Sequence, residues 1–147
     1  MLLSLFLLWP AGPGVSQTMA AVGAQIPQIP SGMARVWFLR QFQPAESLAT
    51  PMISVNGVPV AASEPGGAFY RDFPPGSYTF TVASYGIDIG QAQTSQLAPG
   101  MAVFVEIQSL SSWASGDEGR HDTFYARAVS PEWAEKYFPT MTYLGAR

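Results

Sequence analysis

Three short breaks, Asn56-Gly57, Pro74-Pro75-Gly76 and Ala98-Pro99-Gly100, punctuate stretches in which apolar and polar residues alternate with a period of two. Asn-Gly between apolar runs is the strongest local hairpin signal, because both central residues of a type I′ turn need positive φ. In the other two breaks proline fixes φ and glycine accepts a positive one, so the chain reverses there as well. An amphipathic helix would instead repeat its apolar residues every three to four positions. The chain is therefore expected to be all-β, with Gly57 and Gly76 at φ > 0.

Between these turns the strands can be read directly. Arg35–Arg40 is apolar on both faces, which predicts a strand covered on both sides. Met52–Val55 runs into Asn56-Gly57 and returns over Val58–Ala62, where Pro59 predicts an edge strand or a bulge. Phe69–Phe73 and Ser77–Ser84 flank the second turn, with Tyr78, Phe80 and Val82 sharing a core-facing side. Gln91–Leu97 and Met101–Leu110 flank the third, with Val103, Val105 and Ile107 on one face and Phe104, Glu106 and Gln108 on the other. Ser111–Gly119 reads as a polar loop and Thr123–Val129 as a last strand. Ser130-Pro131-Glu132 then opens a short helix with an N-cap serine, proline at the first position and an acid in the first turn, and Pro139 ends it. The expected fold is an antiparallel β-sandwich of immunoglobulin/transthyretin-like build with a short C-terminal helix.

The 147 residues suffice for about one domain, and with 48% hydrophobic and 12% charged residues the chain is globular. Leu2, Leu3, Leu5, Phe6, Leu7, Leu8 and Trp9 form an apolar run followed by proline, glycine and small residues. As a helix the run spans roughly 12 Å, against a hydrocarbon core of about 30 Å, so it predicts a leader and no stable membrane span. Val22-Gly23-Ala24 fits a small-x-small cleavage site, with Thr18-Met19-Ala20 as a second choice. The predicted organisation is a signal peptide over 1–24, a Pro- and Gly-containing linker over 25–32, and the sandwich over 33–147. No charged residue precedes Arg35, and a start upstream of Met1 would supply the basic n-region that leaders normally carry. The expected localisation is periplasmic or secreted.

Ala34-Arg35-Val36-Trp37-Phe38, Val55-Asn56-Gly57, Phe73-Pro74-Pro75-Gly76-Ser77-Tyr78-Thr79-Phe80 and Leu97-Ala98-Pro99-Gly100-Met101-Ala102-Val103-Phe104-Val105 together resemble the bacterial domain-of-unknown-function family 2846. The resemblance covers residues 33–130. It implies a small exported β-sandwich and carries no biochemical role. Members of that family are often lipoproteins, whereas this sequence has no cysteine, so no lipid anchor through a cysteine is expected.

Absent cysteine also excludes disulfides, thiolate metal sites and cysteine nucleophiles, and one histidine excludes a polyhistidine site. With 7 basic against 10 acidic residues, nucleic acid is not an expected partner. The densest polar group, Asp117, Glu118, His121 and Asp122 beside Arg120, follows neither an EF-hand nor a zinc-helix spacing. It is expected to be a solvated hairpin loop without metal. There is no Gly-x-Ser-x-Gly elbow, and neither Asp72 beside Tyr70 and Arg71 nor Glu106 has a nameable carboxylate partner. No catalytic residue and no cofactor are predicted. Trp37, Trp113, Trp133, Tyr137 and Phe138 could form a platform for sugars or peptides, but aromatics at this density more often fill a core or clamp a helix. The expected function is a non-catalytic interaction module of the bacterial cell envelope with a protein or peptide partner, because an open edge strand suffices for that role. The alternative is a small-ligand or carbohydrate carrier, or a minor hydrolase.

Overall fold

The computed structural model describes residues 17–43, 47–113 and 120–147. After a four-residue helix α1 (Met19–Val22) come strands β1 (Ala34–Leu39), β2 (Met52–Val55), β3 (Val58–Ala62), β4 (Gly67–Phe73), β5 (Gly76–Val82), β6 (Gln93–Leu97), β7 (Ala102–Trp113) and β8 (Arg120–Val129). Helix α2 (Pro131–Tyr137), a 3-10 turn (Phe138–Thr140) and β9 (Thr142–Ala146) follow. The strands form two sheets, one in the order β8-β7-β1-β4-β9 and one in the order β3-β2-β5-β6.

The turn chemistry places these elements. Asn56 and Gly57 sit at φ 50° and 79°, and Gly76 at φ 152°, so the β2–β3 and β4–β5 reversals use the positive φ expected of them. The register of β2 on β3 shifts between Ile53 and Ser54, the irregularity that Pro59 foreshadows, and β3 lies at a sheet edge. Ser130 Oγ accepts from Trp133 N at 3.3 Å and Pro131 opens α2, as the sequence predicts.

In two respects the strand pairing departs from a purely antiparallel sandwich. β1 pairs with β7 in parallel, and β4 pairs with β9 in parallel. β9 was not anticipated: β8 and β9 lie at opposite edges of one sheet, so residues 130–141 must cross its outer face between them. A parallel crossover of this kind needs a long connection, which α2 and its 3-10 turn provide.

The five-stranded sheet is thereby covered on both faces. Its inner face packs on the other sheet through Val36, Phe38, Phe69, Val105 and Phe124 against Ile53, Val55, Phe80, Val82 and Leu97. Its outer face, with Trp37, Leu39, Ala68 and Tyr70, packs against Met19, Val22, Ala134 and Met141. β1 supplies both clusters from alternate residues, which is why it is apolar on both sides.

Residues 17–24, which the sequence reading assigns to the leader, belong to this outer layer. Met19 and Val22 are 2% and 1% exposed. The 25–32 segment has only a 3-10 end and a turn and runs extended beyond Ile26, but it is fastened: Arg35 donates through Nη1 to the Pro27 carbonyl at 2.5 Å. No helix among the described residues is long and apolar enough to cross a membrane.

Candidate interaction surface

Of the residues singled out by sequence, the acidic group falls largely outside the description: Asp117, Glu118 and Gly119 lie beyond the described residues. The polar loop is shorter than expected, because β7 continues to Trp113 and β8 begins at Arg120, so Ser111 pairs with Asp122 and Ser112 with His121 in the ladder. The described residues contain no group of three His, Asp or Glu that could hold a metal.

Asp72, for which the sequence names no carboxylate partner, is held by Arg35. Nε and Nη2 of Arg35 donate to its two carboxylate oxygens at 2.7 and 2.9 Å, and the guanidinium lies 3.9 Å from the Tyr70 ring centroid. The hydrogen bond to Asp72 holds the Arg35 pKa above its ordinary value against the opposing effect of burial. This pair is a fastening between β1, β4 and the 27–28 backbone. The second buried arginine, Arg40, donates to the carbonyls of Ser47, Ala49 and Ser63 and so ties the β1–β2 connection to the end of β3.

The aromatic residues divide in the same way. Trp37 is buried, with its ring 4.9 Å from that of Tyr70 and 4.7 Å from that of Phe138. Trp133 and Tyr137 meet within α2 with ring centroids 4.7 Å apart and planes tilted by 44°, and pack on the outer cluster. Four of the five candidate platform residues thus clamp the helix, and the Trp113 side chain lies outside the description. Beside Tyr137 opens a cleft of about 330 Å³ lined by Gln41, Phe42, Gly66, Tyr137, Thr140 and Met141. Thr140 Oγ1 is already spent on the Tyr137 carbonyl at 2.9 Å, and no carboxylate, imidazole or amine is among the lining residues. The lining mixes the apolar surfaces of Phe42 and Met141 with the polar groups of Gln41, Tyr137 and Thr140.

What distinguishes one part of the surface is how the four sheet edges are treated. An unpaired strand edge exposes backbone donors and acceptors to any passing strand, and folded proteins usually blunt it. β8 is capped by the 84–93 segment: Phe124 N donates to Ser84 Oγ at 3.0 Å, Ala126 N to the Gln91 carbonyl at 2.9 Å and Ala128 N to Gln93 Oε1 at 3.1 Å. β9 is shielded by the N-terminal segment, since Tyr143 N donates to the Gln17 carbonyl at 2.7 Å and Thr18 bridges Thr142. β3 carries Pro59 and lies opposite the irregularity in β2. β6, Gln93-Thr94-Ser95-Gln96-Leu97, has β5 on one side, no strand on the other among the described residues, and neither charge nor proline.

The segment leading into β6 is itself fixed and apolar at its tip. Gln91 Nε2 donates to the carbonyls of Gly86 and Phe124 at 2.8 and 3.0 Å, and Tyr125 donates from its hydroxyl to Asp88 Oδ2 at 2.6 Å. That hydroxyl, with the Ile89 amide, holds the Asp88 carboxyl below its usual pKa, and the same bond raises the Tyr125 phenol above its own. Between these fastenings Ile87 and Ile89 stand 97% and 94% exposed. Sequence reasoning identified the β3 edge, which the sheet order bears out, but did not reach this surface. The alternation of small polar residues in 93–97 was its only available signal. No family model matches the chain and no curated protein is detectably similar to it.

Proposed function

We propose that this protein is an exported, non-catalytic interaction module of the bacterial cell envelope, which takes an extended segment of a partner protein along β6. The observation that carries the reading is that β6, past Gln93, whose side chain meets β8, has no proline, no irregularity and no strand paired along its outer side among the described residues, and is continuous with the loop presenting Ile87 and Ile89. Backbone hydrogen bonds to an added strand give affinity, and side-chain contacts beside it give selectivity. A loop already fastened by Asp88, Gln91 and Tyr125 presents its isoleucines with little further ordering cost. Export and the envelope setting rest on the apolar run Leu2–Trp9 and the proline, glycine and small residues after it.

A photo-crosslinking residue at Thr94 or Gln96 tests this in envelope-targeted protein. A discrete adduct from both positions, lost on Ile87→Ser with Ile89→Ser and absent from a probe at exposed Arg71, is expected. Equal adducts from Arg71 and from β6 would remove the basis for the reading. The cleft beside Tyr137 favours a second reading, a carrier of a small ligand, since about 300 Å³ is the lower end of ligand-pocket volumes. Gly66→Leu would narrow that cleft and leave β6 capture intact.

A further inference from the structure

We infer that the leader is cleaved between Ser16 and Gln17, so that the exported domain begins at Gln17 and keeps residues 17–24. The inference rests on the proposal that the chain is exported. Its ground is what those residues do in the fold. The Gln17 carbonyl accepts from Tyr143 N, Thr18 bridges Thr142, and Met19 N donates to the Met141 carbonyl at 2.8 Å, so three successive residues line the outer side of β9. Thr18 also caps α1, accepting from Ala21 N at 3.3 Å. Met19 and Val22 are as buried as the residues between the sheets. Cleavage after Ala24 would discard all of these contacts, open the β9 edge and expose apolar surface beside Met141 and Tyr143. Cleavage after Ala20 would discard Met19 and the Gln17–Thr18 pairing.

The sequence upstream supplies a better bond. Gly14-Val15-Ser16 places small residues at the third and first positions before Gln17, the pattern that leader peptidases read. Pro10–Ser16 then forms the spacer after the apolar run. Water adds across the Ser16–Gln17 amide, leaving a carboxylate on Ser16 of the released leader and an α-amine on Gln17 of the domain. That amine emerges at an exposed residue beside the β9 edge, and the contacts of residues 17–24 described above are all kept.

The experiment expresses the full chain behind an upstream start that supplies a basic n-region, and reads the N-terminus of the periplasmic and culture fractions by mass spectrometry. The expected terminus is Gln17, with or without the ammonia lost when an N-terminal glutamine cyclises. Exported protein beginning at Gln25 or Ala21 would overturn the cleavage site and leave export standing. Uncleaved chain confined to the cytoplasm would overturn export and the inference together. Ser16→Phe should block or displace processing while Ala24→Phe matures like the parent. The reverse pattern would also overturn the inference.

Discussion

The two faces of the five-stranded sheet are both dry, yet they are built differently. On the inner face Phe38 stacks on Phe69 at 5.1 Å and meets Phe80 edge-on at 5.5 Å, and every neighbour comes from a regular strand. On the outer face Trp37, Tyr70 and Arg35 are covered by α1, α2 and a 3-10 turn, pieces of three to seven residues taken from the two ends of the described chain. Helices that short have no stability of their own, because nucleation is unfavourable and few bonds repay it. The inner face holds the sheets together, whereas the outer face holds its cover through burial and a few fastenings such as that of Arg35 to the Pro27 carbonyl.

That contrast can be broken by substitution. Phe80→Ala, at a fully buried site between the sheets, should cost about 3–5 kcal/mol and lower the whole unfolding transition in urea. Arg35→Met should cost about 3 kcal/mol by leaving Asp72 without its bidentate donor, with exchange rising most at the Met33 amide, which donates to Pro30 in the segment that Arg35 fastens. Met141→Ala should cost about 2 kcal/mol, at the low end for its class because a chain end can settle into the gap. Its mark should be local: hydrogen exchange accelerating in 17–25 and 142–146 while 34–39 stays protected. If Met141→Ala exposes β1 as much as Phe80→Ala does, the two faces are one cooperative unit and the contrast fails.

The smallest effect concerns the fastened loop before β6. Asp88 has a depressed pKa in the fold, so its contribution is present above the ordinary carboxylate pKa and is lost as pH falls through the lower folded value. Tyr125 has a raised pKa, so its contribution is present below the ordinary phenol pKa of about 10 and is lost as pH rises through the folded one. Amide protection at Ile89 should therefore be flat between these limits and fall at both ends. Tyr125→Phe should weaken it throughout and remove the alkaline fall. A profile unchanged in Tyr125→Phe would show that Gln91, with Ser84 and Arg127, holds the loop without Tyr125.

Local features were legible and distant ones were not. The β2–β3 hairpin has the bounds read from sequence because Asn56-Gly57 determines its own conformation. The start of α2 was legible because Ser130 and Pro131 act within one turn. Arg35–Arg40 disclosed that β1 would be covered twice, but nothing nearby said that the second cover would come from Met19 and Met141. β9 was missed because its partner β4 lies far back in the chain and Gly145 weakens its pattern. The surface around β6 was missed for a related reason: an edge is defined by which strand fails to arrive, a property of the whole sheet order. For Asp117, Glu118, His121 and Asp122 the structure extends the strands toward the group without describing its tip.

The parallel pairs also set an order of events for a chain made from its N-terminus. Arg35 must wait for Ala102, 67 positions later, and Gly67 for Thr142, 75 positions later. The hairpins of the smaller sheet can close early, but the central strand stays half-partnered until β7 exists. Pairings so distant are slow to form, because loop closure precedes any reward from contact. A chain wired this way stays open and threadable through most of its synthesis, and Trp37 and Tyr70, which wait for Phe138 and β9, are among the last core side chains to leave water.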